Sequence, residues 1–131
     1  MLQTLILFAH GARDPAWAEP LQKLAQTLAA RTPGQRVSLA FLELMTPALP
    51  DCIDQAVAQG SRRIVVIPAF MARGAHLRRD LPLLLQAARQ RHQGVEIIQS
   101  AALGEAEPVI TAMADWIAAS YGQGGDGIDT A

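Results

Sequence analysis

Four short, continuous apolar runs alternate with longer segments whose apolar residues recur at helical spacing, and this alternation leaves few choices of fold. The runs are TLILFA at 4–9, RVSLAFLE at 36–43, RRIVVIPAF at 62–70 and VEIIQS at 95–100. Stretches such as Ile64-Val65-Val66-Ile67 are apolar on both faces, as strands are when helices cover a sheet from two sides. Strand and helix in regular alternation build an α/β domain on a parallel sheet. The expected architecture is therefore a single three-layer domain with a four-stranded parallel sheet in the flavodoxin-like order 2-1-3-4.

The helical segments follow from spacing and caps. Trp17, Leu21, Leu24 and Leu28 mark the inward face of a first helix. Thr46-Pro47 reads as an N-cap followed by proline at the first helical position, with Ile53 and Val57 facing inward. Asp80 reads as the cap of a third helix, with Pro82 in its first turn and Leu81, Leu84, Leu85 and Ala88 as its stripe. A fourth helix starts near Glu107-Pro108 and is expected to bury Ile110, Met113 and Ile117. The domain is expected over 1–119. The glycine-rich end, SYGQGGDGIDTA at 120–131, reads as a flexible tail.

Composition narrows the class of function. A formal net charge of −1 gives no reason to expect nucleic acid as a partner and excludes a polybasic membrane tail. The single Cys52 cannot form an internal disulfide, which favours a reducing, cytoplasmic setting. The N-terminal apolar run is too short for a signal peptide or a membrane span.

In open parallel sheets, ligands are met outside the carboxyl ends of the strands. His10 follows the first strand, Glu43 ends the second, and His76 lies in the connection after the third. Order 2-1-3-4 makes strands one and three neighbours, so His10 and His76 should face each other across one crevice. The connection FMARGAHLRR is also longer than usual for such a loop. Either histidine alone could be an ordinary hydrogen-bonded group, and Glu43 simply the last residue of its strand. His92, among Arg89 and Arg91 at a helix end, is assigned to the helix dipole. Two imidazoles and a carboxylate suit a borderline divalent ion such as Co²⁺, Ni²⁺ or Fe²⁺ and leave coordination positions open.

The combination of strand-HGARDP, FLEL-x-x-P and RIVVIPAFMARGAHLRRDLP resembles the short CbiX-type sirohydrochlorin chelatases, in matching order over residues 4 to 119. The resemblance implies a class II tetrapyrrole chelatase that inserts Co²⁺, or in relatives Ni²⁺ or Fe²⁺, into sirohydrochlorin without ATP. It implies homodimers of one-domain subunits, no permanently bound cofactor, and a divalent metal as substrate. Carried over by position, the family's metal-binding and base histidines fall on His10 and His76, and its acidic residue on Glu43. The chain departs from the family pattern at Ala12, where serine is more common, and in having no histidine-rich segment.

The chemistry agrees with the residue types. Metallation requires stripping water from the ion and removing two pyrrole N–H protons, and neutral imidazole can hold metal or accept a proton near neutral pH. Metal binding should therefore weaken as the imidazoles protonate. Sirohydrochlorin carries several carboxylates, and Arg13, Arg73, Arg78 and Arg79 are all expected in loops on the histidine edge, where guanidinium can grip carboxylate with two prongs. Arg62 and Arg63, at the opposite end of strand three, show that not every arginine faces that edge. Gly11 and Gly74 are expected to admit a flat ring closely or to take positive φ. Met71 could line an apolar wall, whereas Phe41 and Phe70 read as core.

Three other readings compete. A metal or tetrapyrrole carrier would use the same histidines without turnover. A histidine phosphatase would need arginine directly before His10, where this chain has Ala9, and a serine hydrolase would need a G-x-S-x-G elbow that is absent.

Overall fold

The computed structural model describes residues 2–124. Strands β1 (Gln3–Ala9), β2 (Arg36–Phe41), β3 (Arg63–Pro68) and β4 (Glu96–Gln99) form one sheet in the order β2-β1-β3-β4. Every pairing is parallel. The register sets Phe8 beside Ala40 on one side and Pro68 on the other, so β1, β2 and β3 end at the same level. That shared edge carries the polar residues singled out above.

One face of the sheet is fully covered. Ile6, Phe8, Ala40, Ile64, Val66 and Ile97 form a closed core with residues of α2 (Leu49–Ala58) and α3 (Ala75–Arg91). Leu81 and Leu85 of α3 are completely buried there. Stripping either would leave a cavity on the side of the sheet that has no slack.

The other face is open. A 3-10 turn (Pro15–Ala18) leads into α1 (Glu19–Arg31), and α4 (Glu107–Tyr121) follows β4; neither α1 nor α4 contains a buried residue. Trp17 and Leu24 are exposed, as are Ile110, Trp116 and Ile117 of α4. Leu5, Val37, Leu39, Val65, Ile67 and Ile98 beneath them are only half-buried. The burial expected of Trp17, Leu24, Ile110 and Ile117 is therefore not met: Trp17 lies in the 3-10 turn ahead of α1, and no other element of the described residues fully covers the apolar side of these helices. Periodicity does not reveal that this chain alone leaves that side partly uncovered.

Two helix starts differ from expectation. Thr46-Pro47 is not the start of α2, because the Phe41 N–H donates to the Pro47 carbonyl at 2.9 Å and holds this segment along the end of β2. The helix begins two residues later, with Pro50 in its first turn. Asp80 is not a cap either, since α3 begins at Ala75 behind Gly74 and places Pro82 inside the helix. The stripe that buries Leu81, Leu85 and Ala88 extends back to Leu77. Pro82 sits on the exposed side, where water can serve the Arg78 carbonyl that proline cannot.

This longer helix shortens the connection after β3 to residues 69–74, an ordinary length. His76, Arg78 and Arg79 are helical rather than in a loop. At the carboxyl terminus α4 runs through Tyr121, so Ser120 and Tyr121 are helical; the expected tail from residue 125 on lies outside the described residues. No helix of the described residues is long and apolar enough to cross a membrane.

Candidate active site

His10 is the first residue beyond β1, and backbone hydrogen bonds extend the sheet to meet it. The Leu42 N–H donates to the Ala9 carbonyl at 2.9 Å and the Glu43 N–H to the His10 carbonyl at 3.1 Å. Glu43 thus lies two residues past the assigned end of β2, yet on the next rung of the same ladder. Gly11 then turns the chain with φ +95°, and a Cβ there would stand 1.8 Å from the Glu43 carbonyl oxygen. Gly11 takes the positive φ expected of it, and what stands close to it is the Glu43 backbone.

The side chains of this rung meet as well. His10 Nε2 lies 3.0 Å from Glu43 Oε1, with both side chains about half-exposed. A carboxylate only accepts, so Nε2 carries the proton and donates. In the neutral ring the Nδ1 lone pair of His10 is then free to take a metal or a proton.

His76 stands in the first turn of α3. Its Nδ1 accepts from Arg79 Nη2 at 3.1 Å, and Arg79 Nε donates to Asp80 Oδ1 at 3.3 Å. His10 and His76 both line one cavity of about 360 Å³, with Asp80 and an apolar wall of Leu42, Phe70 and Leu77. The structure therefore brings the two predicted histidines together, and Glu43 joins them through His10. Among the described residues, no three His, Cys, Asp or Glu side chains are grouped so that they could hold a metal ion. A centre of two imidazoles would hold a borderline divalent ion with most of its coordination sphere open.

The remaining predicted residues divide. Gly74 lines the same cavity but has φ −70°, and a Cβ there would meet nothing within 4 Å. Positive φ is therefore not its role. Arg13 lines a different cavity, of about 370 Å³, with Ala12, Met45 and Thr46. Arg73 donates through Nε to Glu105 Oε1 at 3.2 Å, and the same oxygen accepts the Ala102 N–H. With only 26% of its side chain exposed, Arg73 is tied to the β4–α4 connection. Arg78 is exposed on α3. Met71 is 67% exposed and lines a third cavity, of about 270 Å³, rather than the histidine one. Its backbone presses on Gly104, where a Cβ would come within 2.0 Å of the Met71 carbonyl oxygen.

Phe70 was expected only in the core, and its edge-to-face contact with Phe8 at 6.0 Å agrees, but it also forms part of the cavity wall. Asp80 and Glu105 are additions. Asp80 is visible in the sequence only as an apparent cap, and Glu105 carries no local signal because its partners arrive from 32 and three residues away.

His92 stays outside the site and has a carboxylate partner of its own. Its Nε2 lies 2.6 Å from Asp54 Oδ1, which also accepts from Arg91. The His92 hydrogen bond, and then Arg91, hold the Asp54 carboxyl below the usual carboxylate range. This cluster joins α2 to the end of α3. Burial pushes the lone Cys52 thiol up and makes it a core group.

Known proteins resemble this chain in sequence and in fold. The CbiX family profile matches residues 4–120. The chain is 36% identical over 92 residues to a sirohydrochlorin cobaltochelatase of Methanocaldococcus jannaschii, covering 70% of this chain and 64% of that one. It is 34% identical over 97 residues to the Saccharolobus solfataricus protein of the same name, covering 71% and 74%. Its fold overlays a cobalamin (vitamin B12) biosynthesis CbiX protein of Marinobacter aquaeolei VT8 with a TM-score of 0.79, at 30% identity, over 92% of this chain and 98% of that one. The sirohydrochlorin chelatase SirB of Bacillus subtilis subspecies spizizenii, solved with cobalt, shares the fold with a TM-score of 0.75 at 24% identity; this chain matches 49% of its length. The chain thus spans about three fifths of the Methanocaldococcus relative and half of SirB. The chain belongs to the CbiX family.

Proposed function

We propose that this protein inserts a divalent metal, Co²⁺ foremost and Ni²⁺ or Fe²⁺ as alternatives, into sirohydrochlorin without ATP. The observation that carries the reading is the single cavity shared by His10 and His76, with Glu43 bonded to the ring of His10. The names of the Methanocaldococcus and Saccharolobus relatives support the same substrate and metal.

The residues divide the work as follows. His10, oriented by Glu43, offers Nδ1 to the incoming ion and replaces part of its water shell. As the ion passes to the ring, the pyrrole N–H protons must leave, and an imidazole lone pair is a competent acceptor near neutral pH. The apolar wall of Leu42, Phe70 and Leu77 suits the flat face of a macrocycle. The ring's carboxylates lie at its periphery, and the exposed Arg78 and Arg79 of α3 are assigned to them rather than the tethered Arg73.

The reading includes a homodimer in the cytoplasm. A cavity of about 360 Å³ is small for a tetrapyrrole, since ligand sites run to roughly 1,000 Å³. The open α1/α4 side supports a second copy as the missing cover: α4 carries only Glu107 and Asp115 as charged residues, and a helix apolar on most sides is normally buried. The one free, buried Cys52 suits a reducing compartment.

The test is an anaerobic assay of sirohydrochlorin with Co²⁺, Ni²⁺ or Fe²⁺, followed by absorbance. Acceleration over the uncatalysed rate should fall at least about 100-fold in His10→Ala, on the scale of losing a positioned acid or base. His76→Ala should also lose turnover, and Trp116→Glu should shift the light-scattering mass toward the monomer. Tight binding of ring or metal without acceleration would make the protein a carrier.

A further inference from the structure

The two histidines of the cavity are held in opposite ways. His10 gives its Nε2–H to Glu43 at 3.0 Å and keeps the Nδ1 lone pair free. His76 accepts the Arg79 Nη2–H on Nδ1 at 3.1 Å, so that lone pair is occupied and, in the neutral ring, the proton sits on Nε2. A metal ion needs a lone pair. In the free protein His10 therefore has one to give and His76 does not.

Arg79 lies one helical turn beyond His76, the spacing at which helical side chains meet. Its guanidinium is anchored by Asp80, which takes the Nε–H at 3.3 Å; its side chain is 68% exposed, and both of its partners, His76 and Asp80, line the cavity. An imidazole nitrogen is a weak partner for a guanidinium. A carboxylate is a much better one, because it is charged and accepts two N–H groups in parallel.

We propose that Arg79 is a positioning residue that withholds His76 from the metal until a carboxylate of the tetrapyrrole draws the guanidinium away. The inference rests on the chelatase reading above and deepens it. The exchange replaces one hydrogen bond by another, with no proton transferred: once Nη2 turns to the carboxylate, Nδ1 of His76 is free as it stands. The site then holds metal weakly while empty and gains its second imidazole only when the ring is in place. Metal is thereby kept from settling in a protein that has no substrate for it.

The test measures Co²⁺ affinity of the tetrapyrrole-free protein by competition with a chromophoric chelator. Arg79→Ala should bind Co²⁺ about tenfold more tightly than wild type, the scale on which partners of a ligating imidazole act. Arg78→Ala removes the same charge one position earlier without touching His76 and should give a much smaller gain. In a His76→Ala background the Arg79→Ala gain should vanish. In the insertion assay, the same Arg79→Ala protein should show a raised KM for sirohydrochlorin, so one substitution tightens metal and loosens ring. A folding defect would weaken both. Unchanged Co²⁺ affinity in Arg79→Ala, an equal gain in Arg78→Ala, or a gain that survives His76→Ala would each overturn the proposal. Failure of the chelatase reading looks different: wild-type protein would not accelerate insertion, while the Arg79 effect on Co²⁺ affinity would stand or fall by itself.

Discussion

Replacing Gly11 and Gly74 in turn by alanine should separate two glycines that sequence alone treats alike. At Gly11 the added carbon would stand 1.8 Å from the Glu43 carbonyl oxygen, on a backbone with φ +95°. Positive φ costs a residue with a Cβ roughly 1–2 kcal/mol, and forcing a methyl into filled space about 1–3 kcal/mol. Together these come to about 2–5 kcal/mol, a large part of the roughly 5–15 kcal/mol that stabilises a domain of this kind. At about 4 °C per kcal/mol for a chain of this length, Gly11→Ala should melt roughly 8–20 °C lower in a calorimeter or by circular dichroism. Gly74→Ala meets nothing within 4 Å at φ −70° and loses at most a modest helix-cap preference, about 1 kcal/mol or about 4 °C. Co²⁺ binding at a temperature where both variants are folded should fall in Gly11→Ala, because the intruding carbon displaces the Glu43 backbone that the His10 carbonyl accepts from. Equal melting temperatures, or greater damage from Gly74→Ala, would refute the steric account of the turn.

Two further outcomes follow from contacts away from the cavity. The Asp54 carboxyl titrates below its ordinary range in the folded protein, so its contribution is complete above the unfolded value and is lost as pH falls through the folded one. Acid melts should therefore show a stability loss below about pH 4 that Asp54→Asn flattens, and the effect should stay within roughly 1 kcal/mol because the pair is half-exposed. Glu105→Ala leaves Arg73 and the Ala102 N–H without their partner and should cost about 1–3 kcal/mol in urea unfolding, with faster amide exchange over residues 69–74. A change within about 0.3 kcal/mol, below the usual cost of an orphaned donor, would remove that contact from any role in holding the loop.

The sheet was legible because its signal is carried by every residue of each strand. Ile64 to Ile67 is apolar on both faces, as a strand between helices is, and the common flavodoxin-like winding supplies the strand order. The carboxyl edge was legible for the same reason, since His10 and Glu43 are fixed by where their strands stop. His76 was placed at the right edge but on the wrong kind of backbone. Asp80-Leu81-Pro82 has the local look of a helix start, and only the packing of Leu77 beneath the core decides that the helix begins at Ala75. The arginines were the least legible. Their partners, Glu105 for Arg73 and His76 for Arg79, come from elsewhere in the fold or lie on a helix face not expected there. For α1 and α4, spacing identifies an apolar side but is silent on whether the cover belongs to the same molecule.

The rung that joins His10 to Glu43 gives the two halves of the site unequal durability. His10 and Glu43 are tied, backbone to backbone, where the inner strand β1 and its edge neighbour β2 run out, so their separation is set by the spacing between strands and should survive until these strands part. His76 hangs on the first turn of a helix behind Gly74, which supplies no side-chain cap, and such turns fray at little cost. Heating should therefore detach the second imidazole well before the first, leaving over a range of temperature a folded protein with one half of its site intact.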